Sequence, residues 1–139
     1  GVTTLQSGRP LNITVQGDVA GIGQGGGQRP SLVGDPYEDA GRRTRWFNPA
    51  AFAVQPAATF GNLGRNAIIG PGMNNWDVSL QKIFSINERL RTEFRAEFYN
   101  APHHFSYWDV ATTVGAGNFG QVTSATDPRT LQFGLRFQF

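Results

Sequence analysis

The last ten residues alternate without a break. Leu131, Phe133, Leu135, Phe137 and Phe139 are apolar, and Thr130, Gln132, Gly134, Arg136 and Gln138 between them are not. A strand sends successive side chains to opposite faces, so the segment reads as a strand with one greasy face and one wet face. At about 3.3 Å per residue it reaches roughly 33 Å, and tilted it matches the 9–11 residues of a membrane-spanning β-strand. An end on Phe139 with no polar tail is what a chain made for lipid is expected to show.

Three further segments carry the same pattern, over residues 2–16, 76–86 and 90–99. In the first, Leu11, Ile13 and Val15 alternate with Asn12, Thr14 and Gln16, while Pro10 and Ser7-Gly8 suggest a bulge or kink. In the second, Trp76, Val78, Leu80, Phe84 and Ile86 share a face that Lys82 interrupts, and Ile83 interrupts the polar face. In the third, Leu90, Thr92, Phe94, Ala96 and Phe98 oppose Arg91, Glu93, Arg95, Glu97 and Tyr99. Leu90, Phe94 and Phe98 are also spaced for a helix that Asn87 would cap. The short link Asn87-Glu88-Arg89 favours a hairpin instead.

The expected fold class is all-β: about four antiparallel amphipathic strands with two long Gly/Pro-rich loops, 17–75 and 100–129. This is the last part of a large transmembrane β-barrel or an inter-subunit β assembly. Both long connections fall on one side of such a sheet and the short one on the other, the asymmetry of an outer-membrane barrel. The alternating charges of 91–97 would then line a wet lumen, pairing with each other and with Asp77 or Arg136, or else form the solvated face of a soluble sheet. Trp76, Tyr99, Tyr107 and Trp108 fall near strand ends, where an aromatic girdle sits; packing within the loops is the competing reading for Tyr107 and Trp108.

Composition narrows the function. Gly and Pro number 18 and 8, enough for long loops without wholesale disorder. The net charge of +2 is too small to argue for nucleic acid. No cysteine means no disulfide framework and no thiolate metal site. No apolar run is long enough for a spanning helix, which leaves a spanning barrel open. No signal peptide is present and Gly1 is not an initiator Met, so a processed, truncated or engineered start is expected.

Candidate sites are few. Gly21 to Gly26 fits G-x-G-x-x-G, but Arg29-Pro30 follows where a dinucleotide fold needs a helix, so a loop is preferred. His103-His104 has only Asp109 as a nearby carboxylate and makes a poor metal site. Glu93 and Glu97 have Arg neighbours that suit salt bridges better than acid–base work. Neither catalytic residues, nor a cofactor, nor a metal is expected, and the chain reads as no enzyme. Arg42, Arg43 and Arg45 with Trp46 and Phe47 form the one loop cluster that could grip an anionic or sugar-like ligand. A solvated loop folding back on the barrel is the preferred reading even there.

The stretches Trp46-Phe47-Asn48-Pro49-Ala50-Ala51-Phe52, Thr59 to Asn66, and Gly70-Pro71-Gly72-Met73-Asn74-Asn75-Trp76-Asp77 together resemble the C-terminal end of large TonB-dependent outer-membrane receptors. In particular they resemble the versions with an N-terminal carboxypeptidase-regulatory-like domain, abundant in Acidobacteria. Leu5 to Pro10, Phe94 to Asn100 and Asp127 to Phe139 continue the pattern in order, so the resemblance covers nearly the whole chain. It implies a 22-stranded barrel with a plug, importing bulky substrates with energy from TonB. It also implies that Leu135, Phe137 and Phe139 match the terminal signal read by the barrel-assembly machinery. The plug, the TonB-box segment and most of the barrel have no counterpart here, so TonB is a partner only through missing parts.

The expected role is therefore barrel closure and part of the outer mouth. The expected partners are outer-membrane lipid and the rest of the barrel, in the bacterial outer membrane. The alternative is an extracellular self-assembling protein, a filament or β-rich oligomer in which further copies of the chain cover the open strand edges. A soluble carbohydrate-binding β-domain is a weaker third reading.

Overall fold

The computed structural model describes residues 1–23, 25–102 and 106–139. Two compact units are formed by non-contiguous segments: one by residues 1–6, 73–106 and 126–139, the other by 7–72 and 107–125.

The first unit is a four-stranded antiparallel sheet of β1 (Val2–Gln6), β2 (Met73–Ser85), β3 (Arg91–Tyr99) and β4 (Thr130–Gln138), paired in that order. Of the ambiguous segment 90–99, Arg91–Tyr99 settles as strand, paired with β2 on one side and β4 on the other. The hairpin link explains why. The Asn87 side-chain oxygen accepts from the N–H of Arg89 (3.0 Å) and of Leu90 (2.8 Å), and Ile86 N–H donates to Leu90 C=O at 3.0 Å. Asn87 thus closes a turn with the same side-chain chemistry it would use to start a helix.

Gln6 pairs with Met73 at one end of the sheet, and Tyr99 pairs with Thr130 towards that same end. Both long connections therefore leave from one end, opposite the hairpin. Small polar side chains knit this end together. The buried Ser106 accepts from Asn74 N–H at 3.0 Å and donates to Asn74 C=O at 3.3 Å, while Thr126 N–H donates to Ser106 C=O at 2.8 Å. Asn100, at φ 52°, donates its N–H to Asp77 at 3.0 Å.

The first strand is shorter than the expected 2–16: it ends at Gln6. Gly8 forces the departure, because a Cβ there would stand 1.8 Å from the Gly70 carbonyl oxygen, so only glycine permits this crossing. Beyond it, Leu11, Ile13 and Val15 do alternate, but as buried residues of the second unit.

The long Gly/Pro-rich connections expected over 17–75 and 100–129 contribute most of that second unit. It has a core of Leu11, Ile13, Phe47, Ala51, Phe52, Leu63, Ile68 and Val110. Phe47, Phe52 and Phe119 meet edge to face with centroids 5.1–5.8 Å apart, the favoured aromatic geometry. A short 3-10 turn, Pro49–Ala51, drives Phe47 and Phe52 inward, and Asn48 caps it by accepting from Ala50 N–H at 3.2 Å. Short strand pairs fill the rest: Pro10–Leu11 with Ile68–Ile69, Ser31–Leu32 with Phe52–Ala53, and Tyr107–Val110 with Val122–Ala125 run antiparallel. Thr14–Val15 with Thr113–Val114 runs parallel.

Gly61 marks a second forced crossing. A Cβ there would lie 2.1 Å from Arg29 O and 2.3 Å from Pro30 O, whereas Gly64 nearby meets nothing within 4 Å. Gly61→Ala should destabilise this unit by about 2 kcal/mol or more, as overpacking against backbone does, and Gly64→Ala should stay within about 0.5 kcal/mol of the parent. Denaturant unfolding followed by the fluorescence of Trp46 and Trp108 measures both; equal midpoints for the two variants would contradict the crossing.

Candidate functional site

Directly opposed residues share a face, so the register assigns both faces of the sheet. Across β2, β3 and β4 run Val78–Phe98–Leu131, Leu80–Ala96–Phe133, Lys82–Phe94–Leu135 and Phe84–Thr92–Phe137. Trp76 continues this face along β2, and Leu5 carries it onto β1. The other face carries Ser79–Glu97–Gln132, Gln81–Arg95–Gly134 and Ile83–Glu93–Arg136.

The apolar face is open. Leu5, Trp76, Val78, Leu80, Phe84, Leu131, Phe133, Leu135 and Phe137 each remain roughly half or more exposed, from 43% at Val78 to 71% at Leu5. Removing the exposed half of such side chains from water is worth about 1 kcal/mol each, hence roughly 10 kcal/mol in all. That equals the whole stability of an ordinary domain, so water is the wrong solvent for this face. From Trp76 to Phe84 the stripe runs about 26 Å, near the 25 Å apolar band of an outer-membrane barrel.

The wet face is stitched by polar contacts. Arg95 pairs with Glu97 at 2.8 Å, and Gln81 donates to Glu93 at 2.7 Å. Arg95 is 58% exposed, which leaves the pair worth no more than about 1 kcal/mol. The expected longer-range pairs differ. Asp77 takes the Asn100 N–H instead of an arginine, and Arg136 stands opposite Glu93 without closing a salt bridge. Tyr99 faces the wet side beside Glu97, so of the expected girdle aromatics in this sheet only Trp76 lies on the apolar face. Tyr107 packs edge-on against Trp46 and Trp108 lies under the Arg9 guanidinium, as packing within the loops predicts.

The loop cluster of Arg42, Arg43, Arg45 and Trp46 folds on itself. Arg42 and Arg45 exchange backbone hydrogen bonds at 3.0 Å around a tight turn. Asp39 gathers both guanidiniums, Arg42 at 2.7 Å and Arg45 at 3.4 Å, and Arg45 also donates to Asn48 at 2.6 Å. Trp46 packs on the core and donates its indole N–H to Ile69 C=O at 2.9 Å. Of the three arginines in this cluster, Arg43 is the one whose guanidinium has no partner among the described residues. The partner missed in the sequence is Asp39, three residues before Arg42, a visible opposite charge at close spacing.

The glycine-rich run is likewise occupied from within. Asp18 accepts from Ile22 N–H at 3.1 Å, from Gly23 N–H at 2.7 Å and from the Gln28 amide. Desolvation would raise the Asp18 pKa, but the donors Ile22, Gln28, Gly23 and Gly21 outweigh it and hold the carboxyl below its ordinary value of 3.8. The N–H groups that a phosphate loop would offer are thus spent on a carboxylate. His103 and His104 lie outside the described residues. Among the described residues no three His, Cys, Asp or Glu side chains gather as a metal site.

A family model described as "Outer membrane beta barrel domain" matches residues 1–132. The chain belongs to that family. No curated protein and no solved structure matches it. Membership places this barrel domain in the bacterial outer membrane and gives each face its solvent, lipid for the apolar face and the lumen for the charged one. Lys82 fits that assignment: four residues from Ile86 at the hairpin, its long stem can carry the ammonium towards the headgroups. In this barrel domain Leu135 and Phe137 stand on the lipid face opposite Phe94 and Thr92, while Phe139 lies beyond the paired strand, fully exposed.

Phe133→Arg, on the lipid face, should cost about 2–4 kcal/mol in urea unfolding from lipid vesicles. Gln132→Arg, one residue away and opposite Glu97, should be tolerated; equal losses would show that the faces are misassigned. For Asp18 the depressed pKa means that its stabilisation is fully present above the ordinary value of 3.8 and is lost as pH falls below it, through the folded value. Amide shifts of Ile22 and Gly23 should therefore titrate with a midpoint under 3.8, and a midpoint at or above it would refute the arrangement.

Proposed function

We propose that this chain is the closing segment of a TonB-dependent transporter barrel for a bulky substrate. The observation that carries the reading is the sheet itself: four strands in chain order, one lipid-type face, and two long connections leaving from a single end. The ordered motifs that resemble such receptors support it, and the structure gives several of them physical work. Trp46 to Phe52 builds the core turn, and Asn74 and Asn100 tie the outer end of the sheet.

In this reading the sheet completes a barrel begun by other strands, and the long connections 17–75 and 100–129 supply part of the extracellular mouth. Leu135, Phe137 and Phe139 serve as the assembly signal, Arg43 is the arginine of the 42–45 cluster left to meet a ligand, and the chain performs no catalytic step. TonB acts on parts of the receptor outside this segment. Self-assembly between copies draws on the same two open edges, and no observation favours it over barrel completion.

The full-length protein, extracted from outer membranes, should bind the periplasmic domain of TonB. Uptake of its ligand should stop in cells lacking TonB. A full-length protein that neither binds TonB nor depends on it, yet still inserts as a barrel, would overturn the transporter reading and leave the barrel domain intact.

A further inference from the structure

Besides Arg43, two arginines of the second unit have no acidic partner among the described residues. Arg29 is partly buried and Arg65 exposed, and neither guanidinium closes an ion pair or hydrogen bond among the described residues. A partly desolvated guanidinium without a counter-charge is costly to keep. The two line one cavity of about 310 Å³ with Asn12, Thr14 and Gly27. Among the described residues no carboxylate lines it.

The polar groups there point to one kind of ligand. Asn12 spends its oxygen on the Asn66 N–H at 3.0 Å, which leaves its NH₂ as a donor. The Thr14 hydroxyl has no partner among the described residues. The side chains of the residues that line the space thus hold two guanidiniums, an amide NH₂ and a hydroxyl, and donors predominate among them. A carboxylate offers two oxygens to such a set. A phosphate monoester offers three, with more charge, and suits arginine's planar fork.

Arg29 and Gly27 also line a second cavity of about 310 Å³, whose walls include Ile22 and Phe60. Phe60 is 71% exposed and Ile22 52%, so both leave apolar surface open at this cavity. Asp18 bonds to two residues of this second cavity, Ile22 and Gln28, and its charge is taken up by their N–H groups.

We propose that Arg29 and Arg65, with Asn12 and Thr14, bind a phosphate monoester carried on a ring or other apolar body that seats against Phe60 and Ile22. The proposal stands on these cavities and not on TonB coupling. Such a phosphate has two sources at an outer-membrane surface, lipopolysaccharide or a soluble phosphorylated compound.

The test uses the full chain in an uncharged detergent, titrated by calorimetry and followed at the amides of Gly27, Arg29 and Arg65. Phenyl phosphate should bind saturably and more tightly than inorganic phosphate. Arg29→Gln and Arg65→Gln should each weaken it about tenfold or more, and added salt should weaken it further. Binding of vesicles containing lipopolysaccharide but not of phenyl phosphate, lost in the same variants, would assign the lipid source. Absence of saturable binding to either probe, or variants that bind like the parent, would overturn the site. Equal affinity for phenyl and inorganic phosphate would remove the role of Phe60 and Ile22. Arg65 is exposed and its guanidinium closes no hydrogen bond or ion pair among the described residues, so its variant separates binding from stability.

Discussion

Everything in the sheet depends on the strict pairing of one face with lipid and the other with water. The constraint is harsh because the strand period is two: a slip of one residue between β3 and β4 would set Arg95 and Glu97 among the apolar side chains of β4. Turn chemistry and side-chain pattern both hold the register. Asn87 fixes the β2–β3 hairpin at one end, and the Ser106 and Asn100 contacts hold the other. The polar pairs of the wet face add little stability, but they make the wrong register expensive.

The same sheet is incomplete as a membrane structure. Within a bilayer each unsatisfied backbone group costs several kcal/mol, so open edges do not survive there. The outer edges of β1 and β4 have no partner strand among the described residues. On the proposed reading further strands cover both edges, and a closed barrel does so without leaving new ones. The energetics of the apolar face and of the edges thus lead to the same architecture by independent routes.

The sheet was legible in the sequence because period-two patterning is a local signal. Thr130 to Gln138 and Arg91 to Tyr99 fall where alternation puts them. The second unit was not legible, for a physical reason. Its core residues come from short, widely separated stretches, Ile13, Phe47, Leu63, Ile68 and Val110, with no period to connect them. Gly8 and Gly61 look like ordinary loop glycines until the backbone crossing them is known. For the same reason the alternation of Leu11, Ile13 and Val15 misled: a buried strand pair and a membrane strand share the pattern, and only Gly8 divides them. The arginine cluster at 42–45 stood out by composition and proved to be spent on Asp39 and Asn48, whereas the unpaired Arg29 and Arg65 lie 36 residues apart.

Charge in the second unit is organised by which acids are already occupied. Asp39 holds Arg42 and Arg45, Asp109 holds Arg9 at 2.9 Å, and Asp18 is wrapped by backbone N–H groups. Each of these acids is committed to a local structural task. The guanidiniums of Arg29, Arg43 and Arg65 remain over, although the net charge of the whole chain is only +2. A small net charge is therefore compatible with a locally positive surface, because the compensating carboxylates are fixed elsewhere. At an outer-membrane surface crowded with phosphate, such a remainder would be drawn to anions, and the shape of the cavity around Arg29 and Arg65 would decide which of them is held.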